Sequence, residues 1–265
     1  MPTNRPTGGY RPVPLGAGPL SLQPGTASGV GRSPALPSQP KPLPRKPADI
    51  ATVLAETGRS GPLWVASLDG GVGRTTVALV LASLLGGPED VRGFMDLNPI
   101  ARSKTPAAID KQPTHDPATW AWSEPCGGGF SYLAGHIEDP VLETIADEFD
   151  TLVYDLPARI IPLEWTGCPI LVTRGDQEAI TRLTEYLTTA DAPANPIVVV
   201  NEAVTHETTR RARHLTVGLS AWARVVRLAD DPALRQIPYY PKHVATSTRL
   251  AAAHIASNIN ERQPS

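Results

Sequence analysis

The order of apolar runs and glycine-rich turns predicts an α/β fold: a doubly wound, mostly parallel sheet with helices on both faces, preceded by a disordered, proline-rich tail. Three observations carry the prediction. Short runs of β-branched and aliphatic residues alternate with helix-like stretches, the order that builds parallel sheets from strand–helix–strand units. The run Leu63–Leu68 passes directly into Asp69-Gly70-Gly71-Val72-Gly73-Arg74-Thr75-Thr76, a strand entering a glycine-rich loop with a cation and two hydroxyls. Composition then divides the 265-residue chain in two.

Residues 1–47 contain twelve prolines, seven glycines and no acidic residue. Such a segment buries too little apolar surface to offset the entropy of ordering. Its six cations (Arg5, Arg11, Arg32, Lys41, Arg45 and Lys46), set against a whole-chain charge of −2, leave −8 on residues 48–265: a basic tail on an acidic body. Residues 48–265 suffice for one domain with a substantial core. Cys126 and Cys168 do not make a disulfide framework or a metal site, so the expected compartment is reducing cytoplasm. No apolar run reaches the roughly 20 residues of an integral membrane span, and the N-terminus lacks the apolar centre of a signal peptide.

Along the domain, Asp49–Thr57 reads as a short helix with Ile50, Val53 and Leu54 on one face, ended by Gly58. Thr75–Leu85 is apolar nearly all round, as a helix beneath a sheet should be, and Gly86-Gly87 stop it. Val91–Leu97 is a second strand; residues 100–129 have no clear pattern; Phe130–Ala134 is a short strand. Asp139-Pro140 opens a helix carrying Leu142, Ile145, Ala146 and Phe149. Thr151–Tyr154, Pro169–Thr173 and Pro196–Val200 are apolar runs bounded by turn residues, as buried parallel strands are. Helices over Asp176–Ala190 and His206–Leu215, a strand over Arg224–Leu228 and a helix over Ser247–Asn258 complete the series.

The loop at 69–76 has the chemistry of a polyphosphate cradle. Small residues let main-chain N–H groups close on anionic oxygens, and the following helix adds its positive end. The plainer alternative is an ordinary glycine turn between strand and helix. The form Gly-Gly-Val-Gly-x-Thr-Thr resembles the deviant Walker A loop of the MinD/ParA family of P-loop ATPases. Four further segments match that family in order: Gly93-Phe-Met-Asp96-Leu97-Asn98-Pro99, Phe149–Pro157 with Asp155 ending its strand, Ile197–Asn201, and Gln236-Ile237-Pro238-Tyr239.

The resemblance implies a P-loop NTPase-like domain over residues 48–265 that binds ATP and Mg²⁺. It implies that Gly70, Gly71, Val72, Gly73, Arg74, Thr75 and Thr76 enclose the phosphates, that Asn201 and Pro238 flank the base, and that Thr75, Asp96 and Asp155 hold the metal. On the residues alone, Asp155 also reads as a helix cap or surface turn, and Asn201 as a turn former. Three positions depart from the family pattern, and all three are catalytic ones. Arg74 replaces the loop lysine with a larger planar cation. Asp69 stands where the family has the signature lysine that reaches a partner's nucleotide; a carboxylate about 4 Å from a phosphate charge is repelled by roughly 4 kcal/mol at an effective dielectric of 20. A local Asp69–Arg74 pair is the alternative role. Asn98 replaces the acid that positions the attacking water, and an amide lacks its charge and basicity. The expectation is nucleotide binding with weakened or absent hydrolysis, in a homodimer serving partition, positioning or secretion; the alternative is a non-binding pseudo-ATPase scaffold.

Two weaker signals concern partners. Arg210, Arg211, Arg213 and His214, with Arg224, Arg227 and Arg235, form a basic stretch suited to non-specific DNA through phosphate neutralisation, or simply a solvated surface of mixed charge. The run Pro40–Pro47 can adopt polyproline II and recruit an unidentified protein partner, or act as a spacer.

Overall fold

Fully apolar strands can be satisfied only where both faces of a sheet are covered, and the chain folds accordingly. The computed structural model describes residues 10–12, 46–57, 61–98, 129–134, 146–162, 167–204, 214, 216–236 and 241–261. Nine strands are described: β1 (Tyr10–Pro12), β2 (Gly61–Ala66), β3 (Arg92–Asp96), β4 (Ser131–Ala134), β5 (Thr151–Asp155), β6 (Ile160–Pro162), β7 (Cys168–Arg174), β8 (Ile197–Asn201) and β9 (Arg224–Leu228). The longer helices are α1 (Pro47–Ala55), α2 (Arg74–Leu84), α3 (Gln177–Leu187) and α4 (Thr246–Asn260).

Seven strands form one sheet in the order β4-β3-β5-β2-β7-β8-β9, with every neighbouring pair parallel. The two sides of each strand serve different layers. Leu63, Val65, Phe94, Val153, Ile170, Val172 and Val199 pack with α1, α2 and α4. Trp64, Ala66, Met95, Tyr154, Leu171 and Val198 face the other way, toward Ile180, Leu183 and Leu187 of α3. Trp64 and Tyr154, paired across β2 and β5, stack with centroids 4.1 Å apart. Because β2 is central, with the chain running from it to β3 on one side and later from β5 across it to β7 on the other, the carboxyl end of β2 opens at the switch point of the sheet.

Several expected boundaries shift by a residue or two. The first helix begins at Pro47, a residue suited to a first helical position, and α2 begins at Arg74. The C-terminal end of α2 is closed by Gly86 at φ +88° and by Arg92, whose Nη1 donates to the Ser83 carbonyl at 3.1 Å. Within the tail expected to be disordered, Tyr10–Pro12 pairs antiparallel with Ile160–Pro162. The helix expected from Asp139 lies mostly outside the described residues, which retain one 3₁₀ turn at Ala146–Glu148. Most of the His206–Leu215 helix, residues 100–128 and the run Pro40–Arg45 also lie outside them.

Candidate functional site

The loop that follows β2 is shaped by two left-handed glycines, Gly71 at φ +70° and Gly73 at φ +81°. Gly73 is also the N-cap of α2, and no side chain caps that helix. The first N–H groups of a helix have no partner inside it, so they face the loop as free donors. A Cβ at Gly70 or Gly71 would meet nothing within 4 Å, whereas one at Gly73 would lie 2.1 Å from Asn201 Nδ2. The cradle is therefore open on one side and closed on the other.

Asn201, at the end of β8 and 4% exposed, closes it. Its Nδ2 donates to the Val72 carbonyl at 3.0 Å, and its Oδ1 accepts from the Ala203 N–H at 3.1 Å. The side chain expected at the base thus fastens the loop. Pro238, the other residue expected at the base, lies outside the described residues.

Beneath the loop, β3 and β5 run side by side with Asp96 opposite Asp155. Asp155 is fully buried and Asp96 nearly so, at 0% and 1% exposure. Arg74 turns toward this pair: Nε donates to Asp155 Oδ1 at 2.6 Å, and Nη2 donates to Asn98 Oδ1 at 2.7 Å. Thr75 Oγ1 donates to Asp155 Oδ2 at 2.6 Å. Asn98 Nδ2 donates to Asp155 Oδ2 at 2.7 Å and to Asp96 Oδ1 at 2.8 Å, while the Asn98 backbone N–H reaches that same Asp96 oxygen at 2.9 Å. Tyr132 on β4 brings its hydroxyl to 3.5 Å from Asp96 Oδ2. Burial pushes the Asp155 carboxyl above the usual carboxylate range, and Asp96 adds to the rise; Arg74 and the hydrogen bonds from Arg74 and Thr75 oppose it.

This donor set does not fit a divalent cation. Magnesium requires oxygens that are free to accept it or its waters. Here both oxygens of Asp155 receive donors, and Asp96 Oδ1 receives two from Asn98. A guanidinium already supplies the positive charge. A divalent ion about 4 Å from it would be repelled by roughly 8 kcal/mol at an effective dielectric of 20. Among the described residues no group of three or more His, Cys, Asp or Glu is placed to hold a metal. Thr75, Asp96 and Asp155 are thus brought together as expected, but around Arg74.

Asp69 does not pair with Arg74, contrary to the local-pair alternative. Its carboxylate is bonded to Arg182 Nη1 on α3, whose Nη2 also reaches Glu178 Oε1 at 2.6 Å. Arg182 went unnoticed in the sequence because a cation four residues after a Glu on a helix reads as an ordinary surface pair. Thr76 follows Thr75 in the first turn of α2.

Three cations of the basic stretch meet acidic partners. Arg224 bonds Glu261 and Asn258, Arg227 pairs with Glu202, and Arg235 Nη2 lies 2.7 Å from Asp230 Oδ1. Arg210, Arg211 and Arg213 lie outside the described residues; His214, which is described, is exposed. No helix among the described residues is long and apolar enough to cross a membrane.

No protein-family model matches the chain. Comparison with curated proteins gives no match. Solved structures do match. The cell division ATPase MinD of Pyrococcus furiosus superposes with a TM-score of 0.50 at 17% identity, over 77% of this chain and 99% of that one. A Borrelia burgdorferi protein described as a plasmid partition protein, bound to AMPPNP, gives 0.51 at 11% identity over 76% and 99%. A ParA family ATPase of Chlorobium tepidum gives 0.50 at 11% identity over 77% and 94%. With its parallel sheet and its glycine loop after the central strand, the chain has the fold of the MinD/ParA P-loop ATPases.

Proposed function

We propose that the chain is a MinD/ParA-like ATP-binding protein with weakened or absent hydrolysis, acting through nucleotide-dependent association in partition, positioning or secretion. One observation carries this reading: the main-chain cradle is open while the side chains beneath it are locked to one another. Gly70 and Gly71 leave space, and the α2 N-terminus has no side-chain cap, so backbone donors are available to phosphate oxygens. Arg74, Asn98 and Asp155 meanwhile form a closed hydrogen-bonded set. A guanidinium held by Asp155 is not poised to follow charge as it moves onto a transferred phosphoryl group, and Asn98 uses its amide as a donor to two carboxylates. ATP, when bound, would supply the anion that these donors hold and the signal that changes association.

A second reading has its own support. The Asn201 bond to Val72 and the Arg74 bond to Asp155 keep the loop shaped by side chains alone, as a scaffold without nucleotide requires. Such a scaffold would recruit partners through its proline-rich tail.

Thermal unfolding with and without millimolar ATP separates the two. A ligand at a hundred times its dissociation constant adds about 2.7 kcal/mol. Stabilisation of that order, with little or no phosphate release at steady state, is expected. The absence of any shift would favour the scaffold, and turnover matching that of an intact ATPase of this fold would refute the loss of hydrolysis.

A further inference from the structure

Arg74 is the cation of this site, and its placement bears on what the nucleotide requires. It is 8% exposed, and its Nε and Nη2 bind the Asp155 and Asn98 side chains. Those two residues and Asp96 are the acceptors that a magnesium ion and its waters would need, and each already receives a donor from Arg74, Thr75 or Asn98. The guanidinium is covalently part of the first residue of α2, adjacent to Gly73 of the cradle. Its charge is therefore present beside the loop at all times, without a metal.

We infer that Arg74 replaces the divalent cation, so that this chain takes nucleoside triphosphate free of Mg²⁺. The inference rests on the proposed nucleotide site and concerns the form of nucleotide that site accepts. Binding of an N-terminally intact chain to ATP should be nearly the same in excess EDTA as in excess MgCl₂. Seating of the metal would require the Arg74–Asp155 bond to open, so magnesium gains no ligand set and adds no affinity.

The test is isothermal titration of the full chain with ATP, once in EDTA and once in MgCl₂. Dissociation constants within about threefold of each other support the inference, a difference of less than about 0.7 kcal/mol. Binding at least tenfold tighter with MgCl₂ overturns it while leaving the nucleotide site intact. No binding under either condition overturns the nucleotide reading and this inference together. Arg74→Lys supplies a second measurement: a compact ammonium cannot bridge Asp155 and Asn98 through a planar fork, so the variant should bind ATP more tightly in MgCl₂ than in EDTA by tenfold or more. Equal affinities in that variant would count against the replacement.

Discussion

Replacing Arg74 with methionine tests whether the guanidinium is what makes two buried carboxylates tolerable. The variant keeps an unbranched side chain but loses the charge and both donors, at a place where Arg74 is 8% and Asp155 0% exposed. Removing one partner of a buried pair costs about 3–5 kcal/mol, because the remaining charge is left uncompensated. In a domain of this size each kcal/mol moves Tm by roughly 2–4 °C, so a fall of about 6–20 °C is expected. The loss depends on pH in a definite direction. Burial already raises the Asp155 pKa and Arg74 holds it back, so the variant's carboxyl titrates higher still. A raised folded-state pKa gives stability at low pH that is lost as pH rises through that value. The deficit relative to wild type is therefore complete above the variant's value and fades as pH falls to the wild-type value. Urea unfolding of both proteins, compared at about pH 8 and about pH 5, reads this directly. A loss under about 1 kcal/mol at the higher pH would refute the reasoning, as would a deficit that grows on acidification.

Three other outcomes are expected. Gly73→Ala forces a Cβ to 2.1 Å from Asn201 Nδ2 at φ +81°; strain of about 1–2 kcal/mol and a lost hydrogen bond of about 1 kcal/mol should appear in denaturant unfolding, while Gly70→Ala, with nothing nearby, should be within about 0.5 kcal/mol of wild type. Asn98→Asp exchanges an amide donating to Asp96 and Asp155 at 2.8 and 2.7 Å for a third acid, so it should destabilise by roughly 2–4 kcal/mol and restore no steady-state ATPase activity. His254 on α4 is half-buried, and desolvation lowers its pKa; stability from this residue is present above about pH 6.5 and lost as pH falls below it. His254→Gln should flatten that part of the stability–pH curve, and an unchanged slope would rule the residue out.

The tail strand, the loop and the basic stretch show where local patterns stop being informative. Tyr10–Pro12 carries no strand signal, since its partner Ile160–Pro162 is remote in sequence and only pairing makes either segment extended. The arginines at 224, 227 and 235 read as a positive surface until the fold brings Glu261, Glu202 and Asp230 to them. Asp231 stands beside Asp230 with no local sign of a special role, yet at 2% exposure it accepts from the Ala233 and Ala245 N–H groups and the Thr248 hydroxyl, securing the start of α4.

By itself the sequence determined the alternation of strands and helices, the parallel sheet and the glycine cradle after β2. Those features follow from periodicity, chain flexibility and apolar runs, all of which are local properties of the backbone. The resemblance of its motifs to the MinD/ParA pattern also brought Thr75, Asp96, Asn98 and Asp155 onto one short list; Asp96 and Asp155 end β3 and β5, and Thr75 lies in the first turn of α2. Tertiary structure alone decided which way the charges face. Arg74 meets an acid 81 positions away and Asp69 a cation 113 positions away. A long side chain chooses its partner by which buried charge most needs compensation, and that is fixed only once the strands are side by side.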